Sequence, residues 1–594
     1  MKSSKCSSYQ RRFRVPFATL KPGLLLGLAA CLATTFAGSA VGYSASTTPM
    51  FGPNVLVFNP SMPAPAIQKQ INRVFRKEQN NQFGSARYAL LFQPGNYNVN
   101  IPVGYYTQVL GLGASPNDVS IAGNVHADAT LPSDNATQTF WRAAEGFSVT
   151  PSTGTLQWAV SQATPFRRMH VLGNMVLSQN NGFASGGWTS DDLIDGNIDS
   201  GPQQQWIARN TQWGSWTGAN WNMVFVGDVN APAGAWPNPD YTVVAQTPVV
   251  REKPFLQIDA EGNYSVVVPT LQTNSSGITW AAGSTPGTTL PLSQFYIAQS
   301  GVDTAATINA QLAAGKNLLL SPGIYELTDT IQVTQPNTVI LGLGFATLRA
   351  NNGVTAMSVA DVDGVIIAGL LFDAGATNSP VLLEVGPSGS NASHAANPIS
   401  LHDVFFRVGG AGVGKTSVNL QINSNDTIVD DTWIWRADHG SGVGWNKNTS
   451  TNGLVVNGNN VTIYGLFVEH HQQFQVLWNG DGGRVYFYQS EIPYDPPSQA
   501  KFTSAPGTDG WASYKVADTV TSHQAWGLGI YSFFLTPGIF ETRAIEVPTS
   551  PNVQFQDMIT VCIGGNGGIN NVINESGGAT QPNVSFTPKV TNYP

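Results

Sequence analysis

Charge, cysteine and helical patterning are all scarce in this chain. Only 11% of its 594 residues are charged, so any cluster of carboxylates stands out. Of the three cysteines, Cys6 and Cys31 fall in an N-terminal leader, which leaves Cys562 alone and excludes an intrachain disulfide. A secreted chain without disulfides must draw its stability from a large core and regular hydrogen bonding, which about 550 residues can supply. Beyond the leader no apolar run approaches the roughly 18 residues of a membrane span, so a soluble mature protein is expected. Basic residues are few. Removing the six of the leader leaves 22 against 36 acidic residues, a net charge of −14, which argues against nucleic acid and other polyanionic partners.

The leader is residues 1–40. It has a basic start (Lys2, Lys5, Arg11, Arg12, Arg14, Lys21), the apolar stretch GLLLGLAACLATTFAG and small residues at Gly38 to Ala40, the pattern of a secretory signal peptide. Arg11-Arg12 leaves twin-arginine export open. Leu28 to Cys31 resembles a lipoprotein cleavage box, with a lipid anchor at Cys31 as the lesser alternative. Because the apolar run continues past Cys31, cleavage near Ala40 and a secreted, extracellular product are expected.

Only residues 64–79 and 304–314 pattern as amphipathic helices. Elsewhere short β-rich runs alternate with Gly, Asn, Asp and Ser, which predicts many short strands. An internal duplication fixes the architecture. Residues 89–113 align with 317–344: Pro94-Gly95 with Pro322-Gly323, Tyr97 with Tyr325, and Leu110 to Gly113 with Leu341 to Gly344. Each copy is preceded by one of the two helices. The second half continues as stacked short strands, each able to bury one face only against its neighbour. The expected fold is all-β, with two right-handed parallel β-helices in tandem, each preceded by a short capping helix. The boundaries fall at 46–245 and 291–594, with a linker at 246–290 whose residues 271–291 read as an exposed loop. An antiparallel sandwich fits less well, since regular two-residue hairpin turns are missing. Gly409 to Thr416, GGAGVGKT, matches a phosphate-binding loop in letters, but the β-branched, Asn-rich SVNLQINSND that follows does not form the required helix. No nucleotide is expected, and the segment reads as a glycine-rich corner.

Glu469 and Glu491 lie 22 residues apart, about one solenoid turn, among aromatics and amides. Hydrolysis of a glycosidic bond needs one carboxylic acid to protonate the leaving oxygen and a second group to activate water or attack the sugar. On equivalent places of successive turns the two backbones would lie about 4.8 Å apart, and two near carboxylates do not both ionise easily. Glu491, between Tyr486, Tyr488 and Tyr494, is the better acid. Glu469, followed by His470-His471-Gln472-Gln473, sits in a more polar setting suited to holding a water. Each is equally well read as a structural carboxylate at a corner. Asp430, Asp431, Asp438 and His439 in VDDTWIWRADHG resemble the clustered aspartates of pectin-cleaving β-helix enzymes, although adjacent strand residues face opposite ways. For the same reason His439, His470 and His471 make a poor zinc site. Trp433, Trp435, Trp445 and Trp478 flank the candidate site, as sugar platforms or as core.

The duplicated PGxY…LGLG openings, together with AVSQATPFRRMHVLGN, SGPQQQWIARNTQWGSWTGANWNMVFVG, DTWIWRADHG, VEHHQQFQVLWNG and YFYQSEIPYD, resemble glycoside hydrolase family 55. That family comprises secreted β-1,3-glucanases built from two β-helices. The likeness spans about residues 50–590. It implies inverting, exo-acting hydrolysis of laminarin-type β-1,3-glucan with release of glucose. Position by position it implies Glu491 as general acid, Glu469 as the group that polarises the attacking water, and Gln162 as an amide that helps hold that water. Trp435, Tyr494 and Phe183 resemble its sugar-binding aromatics. No cofactor or metal is called for. The competing readings are a pectin-active hydrolase or lyase, which needs basic residues or calcium for uronates, and a non-catalytic glycan-binding β-helix. Exo against endo action depends on loops that close one end of the cleft.

Overall fold

The computed structural model describes residues 50–582 and 587–594. The expected leader, Cys31 and the start of the first β-helix at 46–49 lie outside the described residues.

Each half opens in the same way. In the first, a strand (Val55–Phe58) leads into helix α1 (Ala64–Glu78) and then a strand (Tyr88–Phe92); in the second, Phe295–Ala298 leads into helix α2 (Ala305–Ala313) and then Asn317–Leu320. Each helix therefore follows the first strand of its half, whereas the sequence pattern predicts that it precedes all of them. The cause is topological. The flanking strands pair in parallel, Val55 beside Ala89 and Phe295 beside Asn317, and parallel neighbours need a crossover, which the helix provides. α1 buries Ile67, Ile71 and Val74 on one face, while α2 is started by a capping box between Thr304 and Thr307. The duplication extends to single hydrogen bonds. The Tyr97 hydroxyl donates to the carbonyls of Phe58 and Gln93, and that of Tyr325 to the corresponding Ala298 and Ser321.

From these openings the chain winds into two parallel β-helices. The first carries a nine-stranded and an eight-stranded sheet, and the second a twelve-stranded and an eight-stranded sheet. Both interiors are apolar: Leu90, Val109, Phe166 and Phe225 in the first, Leu348, Phe406, Ile463 and Val485 in the second. The last strand, Lys589–Tyr593, runs antiparallel to its neighbour and closes the open end of the second stack. Between the halves, residues 247–291 form antiparallel strands. The 271–291 stretch is thus not simply an exposed loop: it contains Gln272–Ser275 and Gly287–Pro291, and buried Trp280 donates its indole N–H to the Asp191 carbonyl. After Gly409 to Lys415 comes a strand, Thr416–Ile422, so the phosphate-binding geometry of a helix N-terminus is not formed there.

Outward faces of the two β-helices pack on each other. Tyr106, Trp141, Trp188 and Val224 of the first meet Phe405, Trp433, Tyr464 and Phe467 of the second. Inside this buried contact lies an ion network. Arg167 pairs with Asp403 at 2.6 Å and Asp430 at 2.8 Å, and Arg209 with Asp430 at 2.8 Å and Glu252 at 2.7 Å. Lys253 of the linker joins Asp403 at 2.8 Å and Glu145 at 2.6 Å. Asp430 and Asp431, weighed as groove carboxylates, belong to this joint instead: both are buried beside Asp403 and Arg167. A buried charge tolerates loss of water only when paired in this way.

Candidate active site

Strand Thr462–Glu469 turns Ile463, Leu466 and Val468 into the second β-helix. Gly465 breaks the alternation with φ of +66°, a left-handed bend that costs glycine little, and Phe467 and Glu469 then face the first β-helix. The next strand, Gly483–Glu491, repeats the arrangement with Phe487 at the bend, φ +71°, and it stacks in register so that Glu469 lies directly beside Glu491. On either side the same column continues with Trp435 and Tyr531. The two carboxylates therefore occupy equivalent positions on successive rungs, with backbones about 4.8 Å apart.

The first β-helix reaches over this column with the loop after Gln157. Gln162 Nε2 donates to Glu469 Oε1 at 2.9 Å and to the Ser185 carbonyl at 3.1 Å. Ser185 is held by Ser161, hydroxyl to hydroxyl at 2.8 Å. Glu469 also accepts from the Trp433 indole at 2.9 Å and from Gln489 Nε2 at 3.3 Å. Glu491 accepts from the Tyr494 hydroxyl and lies 3.7 Å from His470 Nε2. Gln162, Ser185, Trp433, Glu469, His470, Glu491 and Tyr494 line a cavity of about 200 Å³ whose walls also include Gln138, Gln204 and Ile563.

Burial raises Glu469 well above the usual carboxylate range, and the neighbouring charge of Glu491 adds to this. Burial also raises Glu491, against the opposing effect of His470 and the Tyr494 hydrogen bond. Two such groups side by side hold a proton between them. Burial alone favours Glu469 as its carrier, whereas the hydrogen-bond pattern favours Glu491. Every protein neighbour of the Glu469 oxygens is an N–H donor, an environment that favours the ionised form. Asp438, which burial alone would raise, is brought down to about 2 by its hydrogen bond from His439 and by His470, and its charge helps keep Glu491 protonated.

The structure thus brings Glu469, Glu491, Gln162, Trp435 and Tyr494 into one pocket, and leaves Phe183 outside it. Phe183 is 61% exposed, on a strand of chain whose carbonyl accepts from Ala136 beside the pocket rim. Trp435 is only 1% exposed. Its ring is stacked with Trp433, centroids 4.8 Å apart, and with Phe83, at 6.1 Å, and it forms part of the pocket wall. The surroundings of the two glutamates also differ from expectation. Tyr488 points into the β-helix interior, and Tyr486, on the other side of the left-handed Phe487, points into the joint; Tyr494 is the tyrosine hydrogen-bonded to Glu491. Glu491 is the more open of the pair and Glu469 the more buried, its polar neighbours being supplied by Trp433, Gln162 and Gln489. Trp478 is core and Trp445 packs beside it. His471 likewise points inward while His470 faces the site. Among the described residues no group of His, Cys, Asp and Glu is arranged to hold a metal ion, and no helix is long and apolar enough to cross a membrane. Sequence reasoning did not find Gln138, Phe140 and Ser185, which carry no motif and meet the glutamates only through the packing of the two halves, nor Gln489, which lies on the strand of Glu491.

Paired carboxyl groups on adjacent rungs of a parallel β-helix, beside a pocket, place this protein among the β-helix glycoside hydrolases. Residues 295–491 match the LAM55 pectate lyase-like domain. The chain is 48% identical to an exo-beta-1,3-glucanase of Streptomyces sp. strain SirexAA-E over 546 residues, 91% of this chain and 89% of that one. Its fold overlays the solved structure of sacteLam55A from the same organism with a TM-score of 0.90, covering 92% of this chain and 99% of that one at 48% identity. A glutamate-to-alanine variant of sacteLam55A has been solved with glucose and overlays equally well, with a TM-score of 0.90 over 92% of this chain and 98% of that one. A glucan 1,3-beta-glucosidase of Cochliobolus carbonum is 26% identical over 293 residues, 42% of this chain and 36% of that one. The chain belongs to glycoside hydrolase family 55.

Proposed function

We propose that the protein is an exported, inverting β-1,3-glucanase that removes glucose from the ends of laminarin-type chains. The observation that carries this reading is the meeting of Gln162 from one β-helix with Glu469 and Glu491 from the other in a single pocket. Support comes from the names of the relatives and from the glucose bound to one of them. The pocket lining contains no Lys or Arg, which favours a neutral sugar over the uronates of pectin. The basic, apolar and small-residue pattern of the first 40 residues supports export.

In this mechanism Glu491 gives its proton to the glycosidic oxygen. A water held between Glu469, Gln162 and Ser185 attacks the anomeric carbon from the opposite face, and Glu469 takes the water's proton. Tyr494 and His470 orient the acid. Room for the water requires the two side chains to diverge from backbones one strand apart, because inversion operates at roughly 6.5–9.5 Å between carboxyl groups. Proton NMR of laminarin hydrolysis should show α-glucose as the first product; β-glucose first would overturn inversion.

The acid works only while protonated, so activity falls as pH rises through the Glu491 value, which burial holds above the ordinary glutamate range. Asp438→Asn removes a negative charge that supports that proton. The alkaline limb of kcat/KM should move to lower pH, and the acid limb, set by Glu469, should move the same way because Asp438 raises that group too. An unshifted alkaline limb would show that Asp438 does not act on the acid.

A further inference from the structure

The glycine-rich corner that resembles a phosphate-binding loop has no part in the chemistry above, yet it touches the wall of the pocket. One end of that pocket is formed by Trp435 and His439. Behind them stands Phe83, carried across from the first β-helix by the turn that follows α1. Its ring lies 5.4 Å from His439 and is stacked on Trp435 at 6.1 Å. Gln82 contacts the other nitrogen-bearing edge of the imidazole directly, while its carbonyl accepts from Tyr106 at 2.7 Å.

The seat of Phe83 is built from two glycines. A Cβ on Gly410 would come within 2.4 Å of the ring, and one on Gly440 within 2.8 Å. Real side chains do not approach so closely, and both residues also have φ above +80°, where a β-carbon is strained. Gly410 is the second residue of GGAGVGKT. Its corner is pinned to the Gly440 turn by Ser441 N–H donating to the Gly410 carbonyl at 2.7 Å.

On the far side of Phe83 the surface is not closed. Phe83, Gly84 and Ser85 form one bank of a groove of about 520 Å³, and Pro322, Glu326, Arg349 and Ala411 form the other. Glu326 and Arg349 belong to the same line of in-register residues as the catalytic pair, running Glu326, Arg349, Asp373, Arg407, Trp435, Glu469, Glu491. The cleft between the β-helices therefore resumes beyond the obstruction. Between pocket and groove stand the rings of Phe83, which lines the groove, and His439, which lines the pocket, 5.4 Å apart.

We propose that Phe83, seated between Gly410 and Gly440 and braced by the contact of Gln82 with His439, is the end stop that restricts this pocket to chain termini. This inference rests on the glucanase reading. A chain threaded through the pocket would have to occupy the space of the two rings. Without them pocket and groove join, and an internal stretch of glucan can lie across Glu469 and Glu491.

The test uses laminarin before and after periodate oxidation. Internal 1,3-linked glucose units have no vicinal diol and survive, whereas the non-reducing terminal unit has one and is destroyed. The protein and its Gln82→Gly/Phe83→Gly/His439→Gly variant are assayed on both substrates, and the ratio of the two rates is read so that changes in basal turnover cancel. The unaltered protein should hydrolyse the oxidised glucan at least 100-fold more slowly than the intact one, and the variant should bring the two rates within tenfold and release oligosaccharides. A variant that still cuts intact laminarin to glucose and spares the oxidised chain overturns the proposal, as does an unaltered protein that cuts both equally. No hydrolysis of intact laminarin by the unaltered protein would instead refute the glucanase reading. If the triple variant does not fold, binding decides. In the Glu491→Gln background, Phe83→Ala/His439→Ala should raise affinity for oxidised relative to intact laminarin at least tenfold, and an unchanged ratio counts against the end stop.

Discussion

Glu491→Gln should lower kcat on laminarin by about 10³-fold or more while leaving substrate binding within a few-fold. General acid catalysis contributes about 10²–10⁴ in rate, and a sugar hydroxyl leaves poorly without a proton. Glutamine keeps the size of the side chain and its contacts with Tyr494 and His470, so folding and affinity survive. A β-glucoside with a nitrophenolate leaving group needs little protonation, and on it the variant should recover most of its activity. That recovery separates a lost proton donor from a distorted pocket. Retention of more than a tenth of laminarin turnover would remove Glu491 from the acid role. Glu469→Gln is a less clean probe. The Glu469 oxygens face the N–H groups of Trp433, Gln162 and Gln489, so a carboxamide would turn a donor onto donors and disturb the setting of the water as well as its activation.

The second large effect is structural. Asp430→Ala should destabilise the protein by about 3–5 kcal/mol, the cost of stranding a buried charge whose partner has been removed. Asp430 accepts from both Arg167 and Arg209, and neither guanidinium can lose its proton. The carboxylate's pH behaviour gives a further signature. Burial would raise it, but Arg209 and Arg167 prevail and hold it well below the usual range. Such a group stabilises the fold fully above its unfolded pKa of about 3.9 and ceases to do so as pH falls through its lower folded value. Urea titrations at pH 7 should therefore show the full deficit of the variant, shrinking below pH 4. A deficit under 1 kcal/mol at pH 7 would mean that water or a neighbour compensates the two arginines. Activity should fall with stability, because Arg167 is five residues from Gln162 on the same segment, and the ion pair that welds the halves also aligns the amide with Glu469.

How much of this was legible beforehand follows from range along the chain. The rung pairing of Glu469 with Glu491 could be read because one turn of the stack is a local repeat, and the doubled openings because Pro94-Gly95, Tyr97 and their counterparts make equivalent local contacts. Which way a side chain faces was less legible. Tyr486 and Tyr488 read as neighbours of Glu491, but left-handed residues such as Gly465 and Phe487 reset the alternation in mid-strand, and no simple period carries that. Contacts between the halves were legible only through family resemblance, in the case of Gln162, or not at all, as for Phe83 and Ser185. Asp430 looked catalytic in sequence because a carboxylate destined for an ion pair and one destined for chemistry are the same residue until their partners are known.

The in-register line through Trp435, Glu469, Glu491 and Tyr531 makes the second β-helix a graduated ruler, marked off at about 4.8 Å per strand. Glu469 and Glu491 close strands of this stack, so they sit at integer marks. Moving the acid to the Tyr531 mark would separate it from Glu469 by about 9.6 Å of backbone. In a scaffold of this kind the coarse geometry of a reaction is therefore a digital choice of rung, and rotamers provide only the fine adjustment.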